Sequence, residues 1–176
     1  VPEELKKRVE KEVCNAFGVA LQLFEDLAYY MNMPKEMFRN RDLQVMVKCA
    51  SYKLNPGEEY EGVWHVEGVP QEHIIMSSIL YYRDELPEVP KLAFRREVCE
   101  DEKNKRIMMF PQHTEFNDQD RNLQVNLGDF QTQCGNMYAW ANGAQHKLKK
   151  IVNTSDKVVQ RSMLVFFLVD PQVKLV

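Results

Sequence analysis

Leu43-Gln44-Val45-Met46-Val47-Lys48-Cys49-Ala50-Ser51-Tyr52-Lys53-Leu54 is the stretch whose reading decides the fold class. Upstream of it apolar residues recur with a helical period. From Asp42 onward the period becomes two residues, as in a β-strand, and the run closes on the turn formers Asn55-Pro56-Gly57. Before this switch, Leu5, Val9 and Val13 recur at spacing four and predict a first helix. Phe17, Leu21, Phe24 and Leu27 predict a second, ended by Asn32 and Pro34, with a short turn from Pro34 to Phe38. Such amphipathic helices read as a scaffold packed on a sheet rather than as a ligand box.

Beyond the switch the strands are short and closely spaced. One holds His65, and one runs from His73 to Tyr82, rich in β-branched and aromatic residues. A short one covers Lys91 to Glu97. Arg95 to Arg106 is a mixed charge run and Gln112 to Arg121 an Asn/Asp-rich segment, and both read as loops. Leu123–Gln133, Asn136–Ala141, Ala144–Val152 and Arg161–Val169 complete a count of about eight. They are separated by Gly135, by Asn142-Gly143 and by Asn153-Thr154-Ser155-Asp156. There is no alternation of strand and helix, no Gly-rich phosphate loop and no repeat. The pattern predicts a mostly β, α+β chain in one compact domain: a helical buttress over residues 1–41, then a jelly-roll or cupin-type double sheet over 42–176.

Bulk properties agree with a globular domain. The 176 residues suffice for one core, with 44% hydrophobic and 28% charged. A net charge of −3 gives no electrostatic reason to expect nucleic acid or an anionic membrane as partner. No apolar run approaches the roughly 18 to 20 residues that span a bilayer, and Val1 to Lys7 does not read as a signal peptide. With no Met at position 1, a processed chain or a piece of a longer chain or assembly is expected. Cys14, Cys49, Cys99 and Cys134 form no Cys-x-x-Cys pair, so they read as reduced thiols of an intracellular protein, not as a zinc site or a disulfide framework.

Chemistry concentrates in Gly62-Val63-Trp64-His65-Val66-Glu67-Gly68. On a strand, residues i and i+2 share a face, so His65 and Glu67 project together as two metal ligands. Alone this tripeptide is more often part of an exposed strand. His146 follows the Asn142-Gly143 turn and starts a late strand, where a jelly roll returns beside its early strands; on its own it reads as a surface residue among Lys147, Lys149 and Lys150. Arg161 shares a strand face with Met163, Val165 and Phe167, while Ser162 lies with Leu164, Phe166 and Leu168. Both faces are apolar, so the strand is expected to be buried on both sides. A buried guanidinium needs an anion, either a ligand carboxylate or a protein carboxylate at the strand entrance.

The order His-x-Glu, then His146, then Arg161 resembles that of the double-stranded β-helix oxygenases that use Fe(II) and 2-oxoglutarate. Leu43 to Lys48, Trp64 to Gly68 with Glu72-His73-Ile74, Gln145-His146 and Leu168 to Pro171 together resemble one uncharacterised, largely fungal and microbial-eukaryote family of that superfamily. The likeness covers about Asp42 to Pro171. It departs from the superfamily's commoner pattern in having Glu rather than Asp at 67, and Trp140-Ala141-Asn142 where an aromatic-Pro-Asn sequence is expected. The resemblance implies that His65, Glu67 and His146 hold the iron and that Arg161 holds the distal carboxylate of 2-oxoglutarate. Ser162 or Tyr82 would help, with Lys48 either a second anion contact or a snorkelling surface lysine. The substrate, organic or protein, is not readable. Two other readings stay open: a structural subunit that keeps the fold without turnover, and a cupin-type enzyme using another metal, which has no need for an arginine clamp. His73 reads as a structural group, and His113 is assigned nothing.

Overall fold

The structure, a computed structural model, describes residues 2–34, 36–97 and 124–174. The loop expected over Gln112 to Arg121 and the later part of the Arg95 to Arg106 charge run lie outside the described residues; Arg95, Arg96 and Glu97 end a strand.

Where two helices were expected, one continuous helix forms, α1 (Glu3–Tyr30). Val13, Ala16, Phe17, Ala20, Leu21, Phe24, Leu27 and Ala28 keep a single helical period through Gly18. A glycine inside a helix costs only about 1 kcal/mol, less than the buried stripe supplies. Glu3 and Glu4 in the first turn suit the positive end of the helix dipole. The C-terminal half of α1 buries Ala20, Phe24 and Ala28, while Leu5 and Val9 in the N-terminal half are exposed.

Nine strands follow among the described residues: β1 (Val45–Leu54), β2 (Glu59–Tyr60), β3 (Ile74–Asp84), β4 (Lys91–Glu97), β5 (Gln124–Gln131), β6 (Met137–Ala141), β7 (Gln145–Leu148), β8 (Ile151–Val152) and β9 (Val159–Val169). The run expected over Ala144–Val152 is split at Lys149-Lys150 into β7 and β8, which join different sheets. One sheet has the order β1-β9-β3-β6, a second β5-β4-β7, and β2 pairs with β8. Every pairing is antiparallel. This is the jelly-roll, double-stranded β-helix class of architecture, mostly β with an N-terminal helix.

Strand β9 shows why the layers stack as they do. It sits between β1 and β3, and its alternate residues feed two cores. Leu164, Phe166 and Leu168 pack against Phe24 and Met76 on the helix side. Val165 and Phe167 pack against Ile79, Tyr81, Leu92, Phe94 and Trp140 between the two sheets. Burial on both faces is therefore observed, as the two-sided apolar sequence requires. A third cluster, Leu54, Ile151 and Val159, closes one end. Among the described residues no helix is long and apolar enough to cross a membrane.

Candidate metal centre

The stretch from Gly62 to Gly68 is held in place more by backbone pairing with β7 than by a strand of its own. The expected His65 strand is only an isolated antiparallel bridge between His65 and His146. The His65 N–H donates to the His146 carbonyl at 3.1 Å and the His146 N–H to the His65 carbonyl at 2.9 Å. Two residues directly opposite on an antiparallel ladder place their side chains together, so the rings meet with centroids 4.3 Å apart. Two glycines bracket the stretch. A side chain at Gly62 would meet the Leu148 backbone nitrogen at 2.9 Å, and Gly68 has φ +69°, a left-handed backbone that glycine adopts freely.

Glu67 completes the cluster. His146 Nε2 lies 3.2 Å and His65 Nε2 3.7 Å from Glu67 Oε1. A single cation with bonds of about 2.1 Å holds neighbouring ligands roughly 3 Å apart, so these atoms need only small shifts to share one ion. His65, Glu67 and His146 form a group able to hold a metal, their ligand atoms all within 4.8 Å of one another. The His65 Nδ1 lies 2.8 Å from the Val63 carbonyl oxygen, which places its hydrogen there and leaves the Nε2 lone pair for a cation. Burial pushes the Glu67 carboxyl up. The hydrogen bond with His146 and the charges of His146, His65 and Lys48 outweigh it and hold the group below its ordinary value, as an anion. Side-chain exposure falls from 46% at His65 through 17% at Glu67 to 6% at His146, so the cluster is approached from the His65 side. Two nitrogens and one carboxylate on one side of an ion leave its remaining positions open, a donor set that suits Fe(II).

Asn142 is the residue that reasoning from sequence missed. Its side-chain oxygen accepts from the Glu67 N–H at 2.8 Å, and its nitrogen donates to the Glu67 carbonyl at 2.9 Å and the Ile74 carbonyl at 3.0 Å. Asn142 thus fixes the backbone that carries Glu67. The Asn-Gly pair reads as a turn former, and nothing local distinguishes a turn asparagine from a clamp.

The cluster opens into a cavity of about 280 Å³ between the sheets. Lys48, Ala50 and Tyr52 of β1, Tyr60 of β2, and Ile79 and Tyr81 of β3 line it, with Trp140, Met163, Val165 and Phe167. Of the four residues suggested to hold an anion, Lys48 alone lines this space. Arg161 is fully buried behind it. Its Nη1 donates to the Tyr52 hydroxyl at 3.2 Å and its Nη2 to Thr132 Oγ1 at 2.6 Å and the Thr132 carbonyl at 3.1 Å. Asp84 Oδ2 lies 2.8 Å from Nε but off the N–H direction, so that contact is an ion pair rather than a hydrogen bond. The guanidinium also faces the Tyr81 ring at 3.7 Å. A protein carboxylate at the strand entrance is therefore what Arg161 meets, because antiparallel register sets Asp84 opposite it. Ser162 and Tyr82 stand elsewhere. The Ser162 hydroxyl is 2.7 Å from that of Ser51 and outside the cavity, and Tyr82 is 52% exposed. Strand parity explains both: Tyr81, not Tyr82, shares the inner face with Ile79. His73 is the left-handed residue that ends a short 3-10 turn, Pro70–Glu72, and is not one of the grouped ligands.

Residues 2–176 match the family described as protein of unknown function (DUF4246). The chain belongs to this family. No curated protein matches the DUF4246 chain. Among solved structures it is similar to an oxalate oxidase, at 13% identity and TM-score 0.31, over 71% of this chain and 43% of that one. A non-heme monooxygenase, ThoJ in complex with Ni, is similar at 9% identity and TM-score 0.36, over 70% and 44%. EvdO2 from Micromonospora carbonacea var. aurantiaca, complexed with 2-oxoglutarate, is similar at 12% and 0.35, over 81% and 57%. The DUF4246 chain spans about half the length of these proteins, and likenesses of this size carry no argument about activity.

Proposed function

We propose that the chain is an Fe(II)- and 2-oxoglutarate-dependent oxygenase acting on an organic or protein substrate. The observation that carries this reading is the convergence of His65 Nε2, Glu67 Oε1 and His146 Nε2 at the wall of a mostly apolar cavity. With both bound, Fe(II) and 2-oxoglutarate supply the coupling of keto-acid and O₂ conversion to succinate and CO₂ with oxidation of a substrate. The chain's own residues do the rest. His65, its Nδ1 hydrogen on the Val63 carbonyl, and His146, wedged against Trp140 at 4.7 Å between ring centroids, present fixed nitrogens. Glu67, braced by Asn142, presents the carboxylate. Ile79, Leu92, Val165 and Phe167 exclude water from the space beside them.

A second reading, a metal-dependent cupin-type enzyme that uses no keto acid, is favoured by the Asp84–Arg161 pair, which leaves Arg161 already matched by an anion. Anaerobic addition of Fe(II) and 2-oxoglutarate separates the two. The first reading expects a weak visible charge-transfer band that is lost in His65→Ala and His146→Ala. Metal binding without any band on adding 2-oxoglutarate favours the second, and absence of metal binding removes both.

A further inference from the structure

A dicarboxylate in this cavity needs a cation for its remote end, and Arg161, the residue suggested by strand order, has its nitrogens engaged by Asp84, Tyr52 and Thr132. The pocket face of β1 offers an alternative. Among the described residues Lys48 is the sole lysine or arginine lining the cavity, and no ion pair or hydrogen bond ties it to a described residue. Tyr52, four residues on along the same strand face, also lines it. The Tyr52 hydroxyl accepts from Arg161 Nη1, so its own hydrogen is free for an acceptor. Its ring is fixed by stacking on Tyr60, centroids 5.6 Å apart. Toward the other edge of the same sheet, on β6, the Trp140 indole N–H is buried with no acceptor among the described residues. The cavity thus carries the Lys48 ammonium and unclaimed donors, with no acidic side chain but Glu67 of the metal cluster.

We propose that the β1 wall, not Arg161, receives the remote carboxylate of a small keto acid: Lys48 supplies the charge and Tyr52 a hydrogen bond. Arg161 acts only through Tyr52. This rests on the 2-oxoglutarate reading above and assigns the residues that make the site prefer a dicarboxylate.

The test is calorimetric titration of the full chain, loaded with Mn(II) under anaerobic conditions, with 2-oxoglutarate and with 2-oxopentanoate, which lacks the remote carboxylate. Wild type is expected to prefer 2-oxoglutarate by roughly ten- to a hundredfold, the range for a charge-assisted hydrogen bond. Lys48→Met is expected to abolish most of that preference, Lys48→Arg to retain it, and Tyr52→Phe to reduce it severalfold, all with Mn(II) affinity unchanged. A preference that survives intact in Lys48→Met overturns the anchor while leaving the co-substrate reading standing. A wild type that binds Mn(II) but neither keto acid overturns the co-substrate reading, and the anchor with it.

Discussion

Two clusters of polar groups flank the same cavity and are resolved in opposite ways. Arg161 behind the Tyr52 and Tyr81 wall has each terminal nitrogen bonded and a carboxylate beside Nε, and Thr132, which accepts from it, passes its own hydroxyl hydrogen to the Pro90 carbonyl at 3.1 Å. His65, Glu67 and His146 instead bring two ring nitrogens and a carboxylate oxygen together at one point, with the second nitrogen of His65 tied to the Val63 carbonyl and the Glu67 backbone held by Asn142. A saturated cluster stabilises the fold, whereas a convergent set with spare lone pairs is built to receive something. Burial alone does not distinguish them, since Arg161 and His146 are both buried.

Substitutions can break this contrast from either side. The largest effect is expected at the saturated cluster: Asp84→Ala strands a fully buried guanidinium and should lower stability by about 3–5 kcal/mol in denaturant titration, leaving metal affinity of the folded fraction unchanged. Equal loss of metal affinity would show that the two clusters are one. At the convergent cluster the order reverses. His146→Ala is expected to weaken Mn(II) or Co(II) binding on the order of a hundredfold with a smaller cost in stability, read by metal titration beside thermal melts. Asn142→Ala removes no ligand yet releases the Glu67 backbone, so roughly tenfold weaker metal binding is expected; wild-type affinity would show that the clamp only shapes the turn.

The smallest effect is spectroscopic. Burial pushes the Tyr81 hydroxyl up to about 12 despite the nearby Arg161 charge. A folded value above the unfolded value of 10.0 means that the contribution to stability is whole below pH 10 and is lost as pH rises toward 12. Ultraviolet titration of phenolate should show one tyrosine ionising about two pH units late, and Tyr81→Phe should remove that step.

Much of this was legible in the sequence because it depends on periodicity within one segment. The switch at Asp42, the two apolar faces of Arg161–Val169 and the shared side of His65 and Glu67 need only a period of two. What was not legible depends on register between segments. That Asp84 faces Arg161 follows from the pairing of β3 with β9, which includes register shifts near Ile74 and Tyr81 that no single strand announces. The same shifts hide which of Tyr81 and Tyr82 turns inward, since His73 to Tyr82 is apolar on both faces. The expected division into two helices between Val13 and Phe17 does not occur, because Val13, Ala16 and Phe17 pack on the same core as the stripe that follows them.

The place of β9 between β1 and β3 has a consequence for how the chain is made on the ribosome. The strand that fills the centre of the main sheet is synthesised well after both of the strands it joins. Until it emerges, β1 and β3 each keep an open hydrogen-bonding edge, and the helix lacks Leu164, Phe166 and Leu168 beneath it. Completion of the main sheet is therefore governed by a closure between distant parts of the chain. A nascent chain stalled before Val159 presents two sticky sheet edges to its surroundings, and a chaperone has most to shield there.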